Sequence, residues 1–310
     1  RLRSIYKGRA DVCRDSYILV RGEAPILLVA HLDTVHRQPV EQICRTDDGG
    51  LLMSPQGIGG DDRCGVYALN AIYEQSEAKP WLLFTCDEEV GGIGAGAFCA
   101  KHRKGALPKE LKRLKLIIEI DRKGKDDAVY YGCGNKGFED YITGKGFRTS
   151  YGSFSDISYI APELGIAAVN LSAGYYNAHT LHEYIDRRHL EDTVRKVVGI
   201  VAESTNPEFH RYEYVEARRY CGRGWGGYGR WRDEDGKILE GLPQGIREEY
   251  RILLDYYTVE ELEGYRRDYG DRMIPQLFEA EFGGACLPLE EGLGGWGNPE
   301  ADMGCGGVER

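Results

Sequence analysis

The chain has 310 residues, 42% of them hydrophobic, and a formal net charge of −10. That is enough for one large α/β domain with an appendage, or for two small domains. Its longest apolar runs stop after about half a dozen residues, far short of the ~20 that cross a bilayer, and its acidity argues against a nucleic-acid or anionic-membrane surface.

The charge is uneven: residues 222–310 hold 10 Lys+Arg against 19 Asp+Glu, a net −9, which leaves −1 for the rest. That tail reads as a solvated acidic extension. Arg1–Arg9 lack the apolar region of a secretory signal, and the absence of an initial Met fits removal of an upstream piece. Nine cysteines, an odd number without framework spacing, read as reduced thiols and a cytoplasmic protein.

In chain order, Tyr17–Val20 and Ile26–Ala30 read as strands, and Asp47-Asp48-Gly49-Gly50 as a hairpin turn. Arg63–Gln75 carries Val66, Leu69, Ile72 and Tyr73 at helical spacing. Strands follow at Trp81–Thr85 and Leu114–Ile120, then a helix over Lys136–Gly146, a Ser155–Ala161 segment and a strand at Ala167–Leu171. Leu190, Val194, Val197 and Val201 predict a helix over Leu190–Thr205, with Asp186 available as its N-cap. Several strands are apolar at consecutive positions, which suits strands covered on both faces. The expected fold is a three-layer α/β/α arrangement, a mainly parallel mixed sheet with helices on both faces. Ligands of such sheets bind beyond the carboxyl ends of the strands.

After Cys221 the texture changes, so the expected organisation is residues 1–221 as one domain and 222–310 as an extension. Gly222–Trp231 reads as a Gly/aromatic linker. Ile246–Tyr257 and Val259–Phe282 read as helices, the second opened by the capping box Thr258-x-x-Glu261 and broken or kinked by Gly264, Gly270 and Pro275. Leu293–Arg310 is Gly-rich and is expected to be disordered.

Five potential metal ligands occur in order, most of them where an apolar run gives way to charge: His31, Asp61, Glu89, Asp121 and His179. His31 and Asp33, two apart on a strand end, point the same way, which suits a ligating imidazole and an acid that orients it. Asp61-Asp62 precedes the Arg63 helix, so an N-cap with an acidic first turn competes with a carboxylate bridging two cations. Asp87-Glu88-Glu89 reads either as an acidic helix start or as a metal ligand beside a proton acceptor. Asp121 ends an apolar strand, where pairing with Arg122 or Lys123 is the rival account, and Glu119 shares its face. His182 competes with His179. Together, two histidines and three carboxylates around two divalent ions leave a position for water. The leading reading is a metal-dependent hydrolase.

The Gly60-Asp61-Asp62, Asp87-Glu88-Glu89 and His179-x-x-x-Glu183-Tyr184 signatures, in this order, resemble the di-zinc exopeptidase superfamily over roughly residues 16–205. The superfamily includes peptidase T, carboxypeptidase G and the bacterial leucyl aminopeptidases. The resemblance implies two Zn2+ ions, with Co2+ or Mn2+ as substitutes. It implies that His31 and Asp121 hold one, Glu89 and His179 the other, and that Asp61 bridges them. It further implies Glu88 as general base and then general acid, Asp33 as the orienter of His31, His179 rather than His182 as ligand, and a cis Asp61–Asp62 peptide. Only 57 residues separate Asp121 from His179, which leaves no room for the lid domain of two-domain members. Tyr175, Tyr176 and Arg63 are local candidates to replace the lid's substrate contacts. The expected function is hydrolysis of short peptides by an aminopeptidase or di/tripeptidase, with self-association left open. Deacylation of N-acyl amino acids is the alternative within the same chemistry, and an interaction protein with a structural zinc is the alternative of another class.

Overall fold

A computed structural model describes residues 2–13, 16–150, 152, 154–215, 242–253, 257, 262–263, 266–267 and 270–282. The described elements begin with α1 (Leu2–Ile5), β1 (Ala10–Cys13), β2 (Tyr17–Val20), β3 (Ile26–His31), β4 (Cys44–Arg45), β5 (Leu51–Met53) and α2 (Gly60–Gln75). There follow β6 (Trp81–Thr85), α3 (Ile93–Arg103), β7 (Leu116–Arg122), β8 (Asp127–Val129), α4 (Lys136–Gly144), β9 (Arg148–Ser150), α5 (Ile157–Leu164) and β10 (Ala168–Ser172). The remainder are β11 (Tyr175–Tyr176), β12 (Tyr184–Asp186), α6 (Arg187–Ser204), α7 (Arg247–Leu253) and α8 (Met273–Phe282).

Eight strands form one mixed sheet in the order β1-β2-β6-β3-β7-β10-β8-β9. Its centre, β6-β3-β7-β10, is parallel throughout, and β1 and β2 extend it antiparallel. Every residue of β3, β6 and β10 is buried, the mark of strands covered on both faces. Alternate residues feed two cores. Leu28, Ala30, Phe84, Ile118 and Val169 pack against α2, α4 and α6, while Leu27, Val29, Leu83, Ile117 and Ala168 pack against α3 and α5. Each fully buried Leu, Ile or Phe contributes ~1.5–3 kcal/mol of transfer free energy. The three-layer expectation is therefore met.

Because the central strands run parallel, their carboxyl ends share one edge. His31 pairs in register with Thr85, so the chain following each strand emerges at the same place. A second, antiparallel sheet, β11-β12-β5-β4, lies beside it. Its β4–β5 hairpin carries the Asp47–Gly50 turn, in which the Asp48 carboxylate accepts from the Gly50 N–H at 2.9 Å.

Between Asp121 and His179 the described residues form β8, β9 and β10 of the main sheet with α4 and α5, then β11 of the second sheet, and no lid is inserted among them. A helix after Asp87-Glu88-Glu89 was one of the two expectations for that stretch, and α3 forms there, but from Ile93, beyond Gly91 and Gly92. In the C-terminal region, Gly270 (φ +78) precedes α8, whose first turn contains Pro275, so the long second helix is broken where its glycine and proline foretold. Leu242, Ile246, Tyr250, Leu253, Leu262 and Ile274 make a separate small cluster there. The 221/222 boundary, the Gly222–Trp231 linker, the Thr258-x-x-Glu261 box and the Leu293–Arg310 tail lie outside the described residues.

Candidate metal centre

The carboxyl edge of β3, β6 and β7 brings His31, Glu89 and Asp121 together, and the turns before α2 and after β11 add Asp61 and His179. His31 is 1% exposed. Its Nε2 lies 3.0 Å from Asp61 Oδ1 and 3.4 Å from Asp121 Oδ1. His179 Nε2 lies 3.1 Å from Asp61 Oδ2 and 3.2 Å from Glu89 Oε2. The two oxygens of Asp61 thus face two different histidines, each of which faces a second carboxylate. His182 is exposed and makes no such contact.

The two competing readings of Asp61-Asp62 divide between the neighbours. Their peptide is cis, and neither residue has helical dihedrals. Asp62 is the cap: its Oδ1 accepts from the Gly65 N–H at 2.8 Å and its Oδ2 from the His31 N–H at 3.2 Å. Gly65 allows that close packing, since a Cβ there would stand 2.0 Å from the Ile120 carbonyl oxygen. Proximity alone groups His31 with Asp61 and Glu89, or with Asp62 and Asp121, as donor sets for a cation. Both Asp62 oxygens accept backbone donors, whereas those of Asp61 stand against the His31 and His179 imidazoles, with the Asp121 carboxylate beside them.

Around this cluster the supporting contacts are specific. Asp33 Oδ1 stands 3.4 Å from His31 Nδ1, and Asp33 Oδ2 accepts from the Glu89 N–H at 3.2 Å. Tyr175 donates its hydroxyl to the Asp121 carbonyl at 2.9 Å. Arg63 donates to the Ile58 carbonyl, and Tyr176 stacks on Tyr184 at 4.9 Å while bonding His189 at 2.8 Å. The three residues considered as substitutes for lid contacts are thus engaged within the chain, two of them bracing the site. Asp87, Glu88 and Glu89 precede α3 rather than opening it, because Gly91 and Gly92 turn the chain first.

The electrostatics are those of carboxylates short of cations. Burial pushes the Glu88 carboxyl up to about 9, with the charges of Asp121 and Asp156 adding to it. Burial raises Asp121 to about 7, with Asp61 contributing. Burial opposes charging at His179, yet bonds to Asp61 and Glu89 raise it to about 11. At His31 burial is likewise outweighed, first by Asp121. Burial would raise Asp61 too, but His179 and His31 hold it below the usual carboxylate range. The imidazoles and the carboxylates that face them thus favour each other's charged forms, the histidines raised and Asp61 lowered. His31 Nδ1, Asp33 Oδ1, Glu89 Oε1 and both Glu119 oxygens are buried without a hydrogen-bond partner.

Two residues, Asp156 and His36, escaped the sequence reading. Asp156 is fully buried, bonded to Thr85 and raised by that burial to about 6. His36 and Glu183 form a buried pair at 2.8 Å. Glu183 was noticed as part of a motif but given no role. No local spacing marks these contacts, whose partners are 71 and 147 residues apart.

Fold and cluster together define an α/β protein with a histidine–carboxylate centre at the carboxyl edge of its parallel strands. No protein-family model matches the chain. Over 153 residues, 46% of the chain, it is 30% identical to a probable carboxypeptidase of Emericella nidulans. It spans about a third of that relative, 36% of its length. Among solved structures it is similar to a tripeptidase from Staphylococcus aureus, with 17% identity, 61% of this chain and 83% of that one covered, and a TM-score of 0.46. It is also similar to aminopeptidase PepT from Bacillus cereus (17%, 61% and 84%, 0.45) and to a TET aminopeptidase from a marine-sediment Thaumarchaeota archaeon (12%, 64% and 88%, 0.49). All of these are peptidases by description.

Proposed function

We propose that this chain is a zinc-dependent exopeptidase that hydrolyses short peptides, an aminopeptidase or di/tripeptidase. The observation that carries this reading is the arrangement around Asp61, whose two oxygens each face a histidine paired with a further carboxylate. The residues fit a pair of divalent cations: the donor set mixes imidazole and carboxylate, and buried Glu89 Oε1 has no other partner. His31 and Asp121 would hold one ion, Glu89 and His179 the other, with Asp61 shared. When bound, such ions lower the pKa of a water to about 7 and stabilise the oxyanion formed at the scissile carbonyl.

The remaining chemistry belongs to side chains. Glu88, one residue from Glu89 and not needed as a ligand, takes the proton of the attacking water and returns it to the leaving amine nitrogen as the C–N bond breaks. Asp33, facing His31 Nδ1, fixes the tautomer that turns Nε2 into the site. Tyr175, bonded to the Asp121 carbonyl, holds that strand end in place.

Digestion of a peptide library with and without a chelator, read by mass spectrometry, tests this. The expected result is stepwise trimming from one terminus that the chelator stops and added zinc restores. Cleavage of acetylated or succinylated amino acids with free peptides left intact would overturn it in favour of a deacylase. Internal cleavage, or trimming indifferent to the chelator, would overturn it altogether.

A further inference from the structure

We infer that His36 is a positioning residue for this centre: through Glu183 it holds the Gly59–Asp61 turn so that both Asp61 oxygens face the histidines. The inference rests on the zinc reading above and adds a residue outside the motifs that led to it. Glu183 Oε1 accepts from the Asp61 N–H at 3.0 Å, and its Oε2 accepts from the Gly59 N–H at 2.9 Å. One carboxylate therefore grips both ends of the turn that carries Asp61. The Glu183 side chain is 0% exposed, and a buried carboxylate needs donors on every available side. His36 Nε2 supplies the third, at 2.8 Å from Oε2, with its own side chain 7% exposed. In the tautomer that carries its hydrogen on Nε2, His36 donates to Oε2.

The loop is shaped around that ring. Gly57 has φ +81, and a Cβ on it would stand 2.2 Å from His36 Nδ1. A Cβ on Gly60 would meet the Tyr175 side chain at 2.6 Å and Glu183 Oε1 at 3.2 Å. The glycines at 57 and 60 thus leave the space that His36 and Glu183 fill. His36 lies five residues beyond His31, so the chain that brings one imidazole to Asp61 also brings the imidazole that steadies its turn. Without His36, Glu183 Oε2 keeps only the Gly59 N–H as donor in a buried site, and the carboxylate that grips the turn loses one of its three contacts.

Zinc affinity by chelator competition, turnover, and zinc-free melting are measured on the full chain for wild type, His36→Ala, His36→Gln, Glu183→Gln and the His36→Ala, Glu183→Gln double variant. His36→Ala should raise the zinc dissociation constant and lower kcat, each by ~10–100-fold, with KM within about twofold. His36→Gln, which retains an N–H donor, should recover most of both. The His36→Ala and Glu183→Gln effects should be non-additive, the double variant being no worse than Glu183→Gln alone. Unchanged zinc affinity and kcat in His36→Ala overturn the inference, as do additive effects. Equal impairment of the Ala and Gln variants, in step with lower zinc-free melting temperatures, also overturns it in favour of packing alone. Wild-type protein that binds no zinc would overturn the proposed function instead, a separable result.

Discussion

Glu88 precedes a carboxylate that faces His179, and its own carboxyl is held up by burial and by the neighbouring charges of Asp121 and Asp156. Replacing it with Gln keeps shape and removes proton transfer, so kcat should fall by ~10²–10⁴-fold. Zinc content, measured on the same preparation by elemental analysis, should stay at the wild-type value; retained turnover would remove Glu88 from its role. The histidines make a second prediction. Both are raised above the ordinary imidazole range, His179 to about 11, so both carry protons at neutral pH without a cation. Ligation needs neutral imidazole. Zinc binding should therefore release protons, and affinity should climb as pH rises. Calorimetry in two buffers of different ionisation enthalpy reads this directly, and identical apparent enthalpies would contradict it.

At the scale of elements, α6 shows local and tertiary causes working together. Asp186 caps it, accepting from the Arg188 N–H at 3.0 Å, while Leu190, Val194, Val197 and Val201 bury its inner face. Asp186→Ala should cost ~1 kcal/mol, the usual value of a lost N-cap, read as a lower urea midpoint with unchanged slope. The bond from Arg188 holds the Asp186 carboxyl below its ordinary range. Its contribution is thus complete above the ordinary carboxylate pKa and is lost as pH falls through the lower folded-state value. The wild-type advantage over Asp186→Ala should accordingly shrink in strong acid, and an advantage constant down to pH 2 would refute the cap's ionic character. The turn before α2 behaves differently. Its cap, Asp62, serves two elements at once, the helix through Gly65 and strand β3 through the His31 N–H, which couples helix placement to ligand placement.

At the scale of the molecule, the centre gathers more buried acid than it can neutralise unaided. A cation that binds only the folded state adds ~2.7 kcal/mol at 100 times its dissociation constant. Zinc should therefore raise the melting temperature by several degrees, and chelator should reverse the rise. In zinc-free protein a further pH dependence follows from Asp156, raised by burial to about 6. A carboxyl whose folded-state value is raised favours folding fully at low pH, and that contribution is lost as pH rises through about 6. Melting temperatures of chelated protein should show this loss, and Asp156→Asn should flatten it; an equal slope in both proteins would place the cause elsewhere.

Much of this architecture was legible along the chain. Tyr17–Val20 and Trp81–Thr85 were read with their observed bounds, because strands covered on both faces are uninterrupted apolar runs and end abruptly in charge. That His31, Asp61, Glu89, Asp121 and His179 belong together was expected for a related reason: polar residues at strand ends and turns stand next to the sharpest changes of polarity, and motif order supplied their association; the structure brings their side chains together. Local spacing left open which of two adjacent aspartates caps the helix; the resemblance implied Asp61 as the bridging residue, and the structure shows Asp62 accepting the helix donor while Asp61 turns towards the histidines. Tertiary structure alone brought Asp156 to Thr85 and His36 to Glu183. Those pairings join residues far apart in sequence, with no spacing to announce them. Hydrophobic periodicity is a local property and fixes layers, whereas the burial of a polar group, and so the partner it requires, exists only once the layers close.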